Sequence, residues 1–223
     1  MTAAQAPPNP WFSWSYVSQN TDSLTAALEQ HLSLTAATIA IAAAIGIPLG
    51  VVAAKVGWLG GPILGLSGVL YTIPSLALFA LLGPILGLTF STVLIGLVLY
   101  ALLMIVRNAL VGLQQVPPEV HDAAQGMGYG RLGLLWRIEL PLALPSIITG
   151  LRIATVSTVA LVTVGTLVGF GGFGNVILTG FNSNFHRAPI MVGTIGCLGL
   201  ALAFDLLLAG LGRLATPWAR RAG

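Results

Sequence analysis

The sequence predicts an all-α membrane protein of about five transmembrane helices. Three observations carry that prediction. The 223 residues are 56% hydrophobic and only 7% charged, with a mean hydropathy of +0.94, far from the charge-rich composition of soluble domains. Five apolar runs reach the roughly 20 residues that a helix needs to cross a bilayer. The polar intervals between them are too short to fold as a soluble catalytic domain.

Residues 1–32 read as an external N-terminal tail. "MTAAQAPPNP" has no positive n-region, and the first apolar run starts too late for a signal peptide, so the segment is expected to be retained. Trp11, Trp14 and Tyr16, followed by Leu24, Leu28 and Leu32 at helical spacing, predict a short amphipathic helix on the membrane surface.

A transmembrane domain follows over residues 33–212. Its spans are expected at about Ser33 to Ala54, Pro62 to Leu82, Leu86 to Val106, Leu144 to Val168 and Ile190 to Leu211. Gly46, Pro48, Gly68, Gly96 and Gly165 fall inside them, where neighbouring helices satisfy freed backbone groups and small residues admit close approach. Residues 213–223 form a basic tail. The single Cys197 excludes an intrachain disulfide and a cysteine metal cluster.

Charge placement sets the orientation. With the Glu119 region cytoplasmic, Lys55, Arg107, Arg131, Arg137, Arg213, Arg220 and Arg221 lie at the inner face, Arg187 alone lies outside, and Arg152 falls within a span. The N-terminus is then outside and the C-terminus inside. The basic balance reflects this topology and anionic inner-leaflet lipid, and it does not point to nucleic acid.

Five of the fifteen charged residues lie in "EVHDAAQGMGYGRLGLLWRIE", Glu119 to Glu139. Residues 113–141 read as a loop of two short helices joined at glycine. The first follows a Pro-Pro pair and has Glu119 and Asp122 near its positive end. The second carries Leu132, Leu135, Trp136 and Ile138 on one face and is expected to end at Pro141. Small residues leave a shallow surface that another protein can approach. An ordinary amphipathic connector is the alternative.

The order Asp122-Ala123-Ala124, three residues, Gly128, nine residues, Ile138, one residue, Leu140-Pro141 resembles the EAA loop of ABC-importer permeases, with Asp at the usual Glu position. The likeness implies the type I importer permease fold. It also implies that Asp122, Ala123, Ala124, Gly126, Met127, Gly128 and Tyr129 form a coupling helix that docks on an ATP-binding cassette ATPase. "HLSLTAATIAIAAAIGIPLGVVAA", "YTIPSLALFALLGPILG", "LYALLMIVRNALVGL" and "GFGGFGNVILTGF" extend the similarity to the osmoprotectant branch over residues 14 to 213. Members of that branch import glycine betaine, carnitine, choline or related compatible solutes. The resemblance therefore implies an ATPase dimer, a second permease chain, the same or homologous, and an extracytoplasmic solute-binding protein as partners, all at a bacterial cytoplasmic membrane. Another small nutrient such as methionine is the alternative cargo; an ATP-independent transporter and a non-transporting scaffold are rivals.

The chain is not expected to be an enzyme or to bind a cofactor or metal. A phosphate-binding loop needs lysine after glycine, and Lys55, the one lysine, follows Ala54; ATP and magnesium belong to the partner. "GFGGFG" matches a dinucleotide fingerprint formally, yet it follows a membrane span and has no acidic residue about 20 positions later. It reads instead as a compact outer loop, with Phe170, Phe173, Phe181 and Phe185 near the interface and Phe170, Phe173 and Asn175 as candidates for an external gate or docking surface. His121 and His186 are expected to be solvated.

Two further groups stand out. "YTIPSLA" places Pro74 in mid-span beside Tyr71, Thr72 and Ser75, freeing the Leu70 carbonyl, which makes these four residues candidates for lining the pathway. Arg152 and Asp205 lie at similar depths in the fourth and fifth spans, and a structural ion pair between them would relieve the burial of either charge alone; that one of them lines the pathway is the alternative.

Overall fold

The computed structural model describes residues 9–218, which are helical with no strand among them. The tail before residue 9 and the basic residues Arg220 and Arg221 lie outside the described residues. Four helices are long and apolar enough to cross a membrane, and a pair bent at a short break passes the same test only when its two helices are taken together.

Helix α1, Trp14–Gln19, is capped by Ser13, whose Oγ accepts from the Tyr16 N–H at 3.2 Å. Helix α2 then runs unbroken over Thr21–Lys55. The surface helix expected up to Leu32 therefore ends at Gln19, and Leu24 and Leu28 belong to the first span, packed beside Ala27 and Phe173. No glycine or proline lies between Thr21 and Ile45 to stop helix propagation. Asp22 in the first turn and Lys55 in the last suit the helix dipole.

The expected second span is two helices, α3, Gly57–Thr72, and α4, Ser75–Leu86, bent by 92° at Ile73 and Pro74. Both break residues are extended (ψ 126° and 132°), and α4 starts after Pro74, whose carbonyl accepts from the Leu78 N–H. Helix α5, Phe90–Gln114, is the central element, with 56% of its most apolar window buried. Its N-terminus is capped by Thr89, and α2 packs on one side of it.

Helix α6, Pro118–Gly126, and the turn after it lead into α7, Arg131–Leu134. From there a π-turn, Leu135–Glu139, joins α8, Leu140–Val162, and a 3₁₀ turn closes the stretch at Thr163–Val168. The expected stop at Pro141 does not occur, since helical backbone is continuous from Arg131 to Val168. The reason is local: the Leu140 N–H bonds back five residues to the Leu135 carbonyl, and the widened turn leads directly into the proline. Pro141 follows the π-turn directly, at the place where the regular bonding ladder is already interrupted. Helix α9, Phe173–Asn182, and helix α10, Arg187–Ala215, complete the chain, with α10 packed against α8 and α9.

Glycine sets how closely these helices meet. A Cβ on Gly50 would lie 2.5 Å from that of Ala109, and on Gly112 2.8 Å from that of Ser146, so α5 has close backbone approaches on two sides. Gly46, Gly96 and Gly165 are likewise filled against Ile105, Phe79 and Phe170, whereas Gly68 faces open space.

Candidate functional site

One end of the bundle gathers the C-termini of α2 and α5, all of α6 and the start of the α7–α8 rod. Pro118 occupies the first turn of α6, Glu119 lies beside it, and the helix ends in a Schellman turn. There the Tyr129 N–H bonds the Ala124 carbonyl (3.1 Å), the Gly128 N–H bonds that of Gln125 (2.9 Å), and Gly128 has a left-handed φ of +84°. Only glycine takes this conformation without steric conflict. Ala124 is buried and Tyr129 half-buried, while Asp122, Ala123, Gly126, Met127 and Gly128 are exposed. Met127, 69% exposed, stands beside a Gly128 that meets nothing within 4 Å. The result is a shallow surface with one flexible apolar side chain on it.

Behind that surface lies a cluster that sequence reasoning missed. Glu139, 1% exposed, has Lys55 Nζ at 2.5 Å and His121 Nε2 at 2.6 Å. His121 is therefore paired, contrary to the expectation that it is solvated. The carboxylate ties the end of α2 to α6 through the π-turn of the rod. A Glu inside an apolar run was the available signal, but its partners lie 84 and 18 residues away, beyond helical spacing.

At the break in the bent span, Tyr71, Thr72 and Pro74 are exposed and Ser75 is half-buried. The Tyr100 hydroxyl donates to the Ile73 carbonyl, and the Tyr71 and Tyr100 rings meet edge-on at 5.9 Å. The partnered carbonyl at the break is thus that of Ile73, because the chain leaves the helix after Thr72 instead of kinking through it. Tyr100 on α5 is a second residue that spacing alone did not reveal.

The opposite end is organised by "GFGGFG". Gly169 and Gly172 have φ of +87° and +53°, and Gly172 approaches His31 so closely that a Cβ would sit 2.6 Å from that of the histidine. His31 is fully buried. Its Nδ1 faces the Phe173 N–H at 3.3 Å and its Nε2 the Val159 carbonyl at 3.0 Å, an arrangement that fits the neutral Nε2–H tautomer. Gln30 Oε1 accepts from the Gly172 N–H (2.8 Å) and from Asn175 (3.2 Å). Phe173 is only 7% exposed and packs against Ala27, Val159 and Leu200, so it is a core residue and does not lie on an external surface. The turn points its side chain inward because the α9 backbone it begins is pinned to α2. Phe170 is half-buried edge-on to Phe90 (6.2 Å), Asn175 is half-buried, and Phe181 and Phe185 form an exposed pair at 5.4 Å.

Within the spans, Arg152 on α8 and Asp205 on α10 form a two-pronged pair, Nε to Oδ1 and Nη2 to Oδ2, each 2.8 Å. Their side chains remain 38% and 30% exposed, opening on a cavity of about 570 Å³ between the two helices.

Residues 46–216 match the family described as binding-protein-dependent transport system inner membrane component. The chain is 35% identical over 208 residues to the glycine betaine/carnitine/choline transport system permease protein OpuCD of Bacillus subtilis, covering 93% of this chain and 91% of that one. It is 36% identical over 207 residues to the osmoprotectant import permease protein OsmW of Salmonella typhimurium, covering 91% and 96%. An inward-facing structure of the MetNI methionine ABC transporter superposes with a TM-score of 0.77 at 18% identity, covering 85% of this chain and 94% of that chain, which establishes the shared fold. The chain, a multi-pass permease with the type I importer fold, belongs to the family of inner-membrane components of binding-protein-dependent transport systems.

Proposed function

We propose that this chain is the membrane-spanning subunit of an ATP-driven importer of compatible solutes such as glycine betaine, choline, carnitine or proline. Two permease chains, identical or homologous, enclose the pathway. A dimer of ATP-binding subunits docks on the α6 surface from Asp122 to Tyr129, and an extracytoplasmic binding protein delivers solute. ATP and magnesium act on the ATPase, and this chain holds no cofactor. The N-terminus is outside and the C-terminus cytoplasmic, which leaves Lys55, His121 and the docking surface on the ATPase side. Alternating access follows from rocking of the two permease chains.

The observation that carries the reading is the exposed α6 surface ended by the left-handed Gly128 and joined through Glu139 to two spans. The named solutes are those of the relatives at 35% and 36% identity. The test is uptake of labelled glycine betaine by uptake-deficient cells that express this chain with its ATPase and binding-protein partners, alongside a Gly128→Trp variant. Uptake abolished by Gly128→Trp, with the variant still in the membrane, supports the reading. A complex that assembles and hydrolyses ATP without importing any of the four solutes discards the cargo and moves the search to methionine.

A further inference from the structure

The Arg152–Asp205 pair is set in membrane-spanning helices yet is about a third exposed, in a cavity that is open at the side of the chain. Charged residues in spans almost always face a bundle interior or a water-filled cavity and rarely hydrocarbon, and this pair faces a cavity. Thr149 and Ser157 line the same cavity, with Ile153, Val156 and Leu202 as its apolar wall. A second cavity of about 340 Å³ shares Thr149 and Arg152 and continues between α8 and α10 to Arg213 and Thr216. The two form one groove running from mid-span to the end of α10, with the ion pair where they join. Helix α10 is also the least enclosed span, with 6% of its most apolar window buried.

From this we infer that the α8–α10 groove is a water-accessible solute station of the pathway, with Arg152 and Asp205 as the recognition pair for a small zwitterion. The pair uses two of the five guanidinium N–H donors, leaving donors for a ligand carboxylate, while Asp205 offers its charge to a ligand cation. Entry of a zwitterion exchanges one ion pair for two and leaves the groove electrically neutral, so neither protein charge is stranded in the membrane. The apolar wall suits the methyl groups of a quaternary ammonium. The zwitterion assignment rests on the solute reading above; the aqueous groove does not.

The experiment uses the full transporter in membrane vesicles, with Cys197→Ser as background and Thr149→Cys or Ser157→Cys added singly. Expected results are labelling of both positions by a membrane-impermeant thiol reagent and slowing of that labelling by glycine betaine. The double variant Arg152→Gln/Asp205→Asn, which removes both charges and keeps the shapes, should raise the KM for glycine betaine about tenfold or more in complexes that still assemble. Lack of labelling at both positions in an assembled complex overturns the aqueous groove. Labelling that glycine betaine leaves unchanged, together with an unaltered KM in the double variant, overturns the station and leaves the pair structural. If the wild-type complex imports none of the proposed solutes, the zwitterion assignment falls with that reading, and labelling alone then decides whether the groove is aqueous.

Discussion

His121 Nε2 lies 2.6 Å from Oε1 of Glu139, so the exposed helix α6 is held to the bundle by a carboxylate that is itself 1% exposed. Lys55 shares that carboxylate from the end of α2. The three groups separate stability from coupling. In Lys55→Met the buried charge loses its permanent counterion, which should cost roughly 2–3 kcal/mol, moderated because Lys55 is 43% exposed. In Glu139→Leu no charge is left stranded, so stability should change little while the link to α6 is lost. Thermal unfolding of the solubilised protein should therefore shift in the first variant, and uptake per ATP hydrolysed should fall in the second.

Gly50 and Gly112 predict a graded response to volume. Each Cβ added there meets a neighbour at 2.5 and 2.8 Å, so Gly50→Ala and Gly112→Ala should each destabilise the fold by about 1–3 kcal/mol. Gly68→Ala, placed on an open face, should leave it unchanged. Folded yield after detergent extraction distinguishes the three.

His31→Leu should remove two buried partners at once, the acceptor for the Phe173 N–H and the donor to the Val159 carbonyl. A buried polar group left without a partner costs about 1–3 kcal/mol, so folded protein should fall sharply. Gln30→Ala, at a half-buried position, should have a smaller effect on yield and should loosen the Gly172 turn. Protease sensitivity of the 169–172 segment reads that loosening.

Tyr71→Ala should strongly lower solute uptake at normal membrane levels, because it removes an exposed ring beside the 92° break. Tyr100→Phe leaves the Ile73 carbonyl without its hydroxyl donor and should lower thermal stability by about 1 kcal/mol or more. Wild-type uptake in Tyr71→Ala would remove that residue from the pathway.

Apolar run length was enough to find the middle of each long helix, a local property of the sequence, but not its ends: α2 starts at Thr21 and the rod at Arg131, ahead of the expected Ser33 and Leu144. The fold class and the family were equally legible, since the Asp122 to Pro141 spacing lies within one stretch of chain. Pro74 was visible as a disturbance, yet its depth was not: a proline kinks or ends a helix according to what is present to receive the freed carbonyl, and Tyr100 belongs to the next span. Pro141 failed in the opposite direction, because a five-residue hydrogen bond ahead of it let the helix continue. Phe173 was misplaced for a related reason. Of the aromatic residues near it in sequence, Phe170 is half-buried and Phe181 and Phe185 are exposed, and it is the clamp by Gln30 and His31, more than 140 residues earlier, that turns Phe173 inward.

The unbroken helix from Arg131 to Val168 makes the permease a lever without a joint at its middle. Thirty-eight residues of nearly continuous helix span roughly 57 Å, so the Tyr129 and Gly169 turns, at opposite ends of the molecule, are joined by backbone with no non-helical residue between Arg131 and Val168. Near its Arg131 end the rod widens into the π-turn, where Glu139 ties it to α2 and α6.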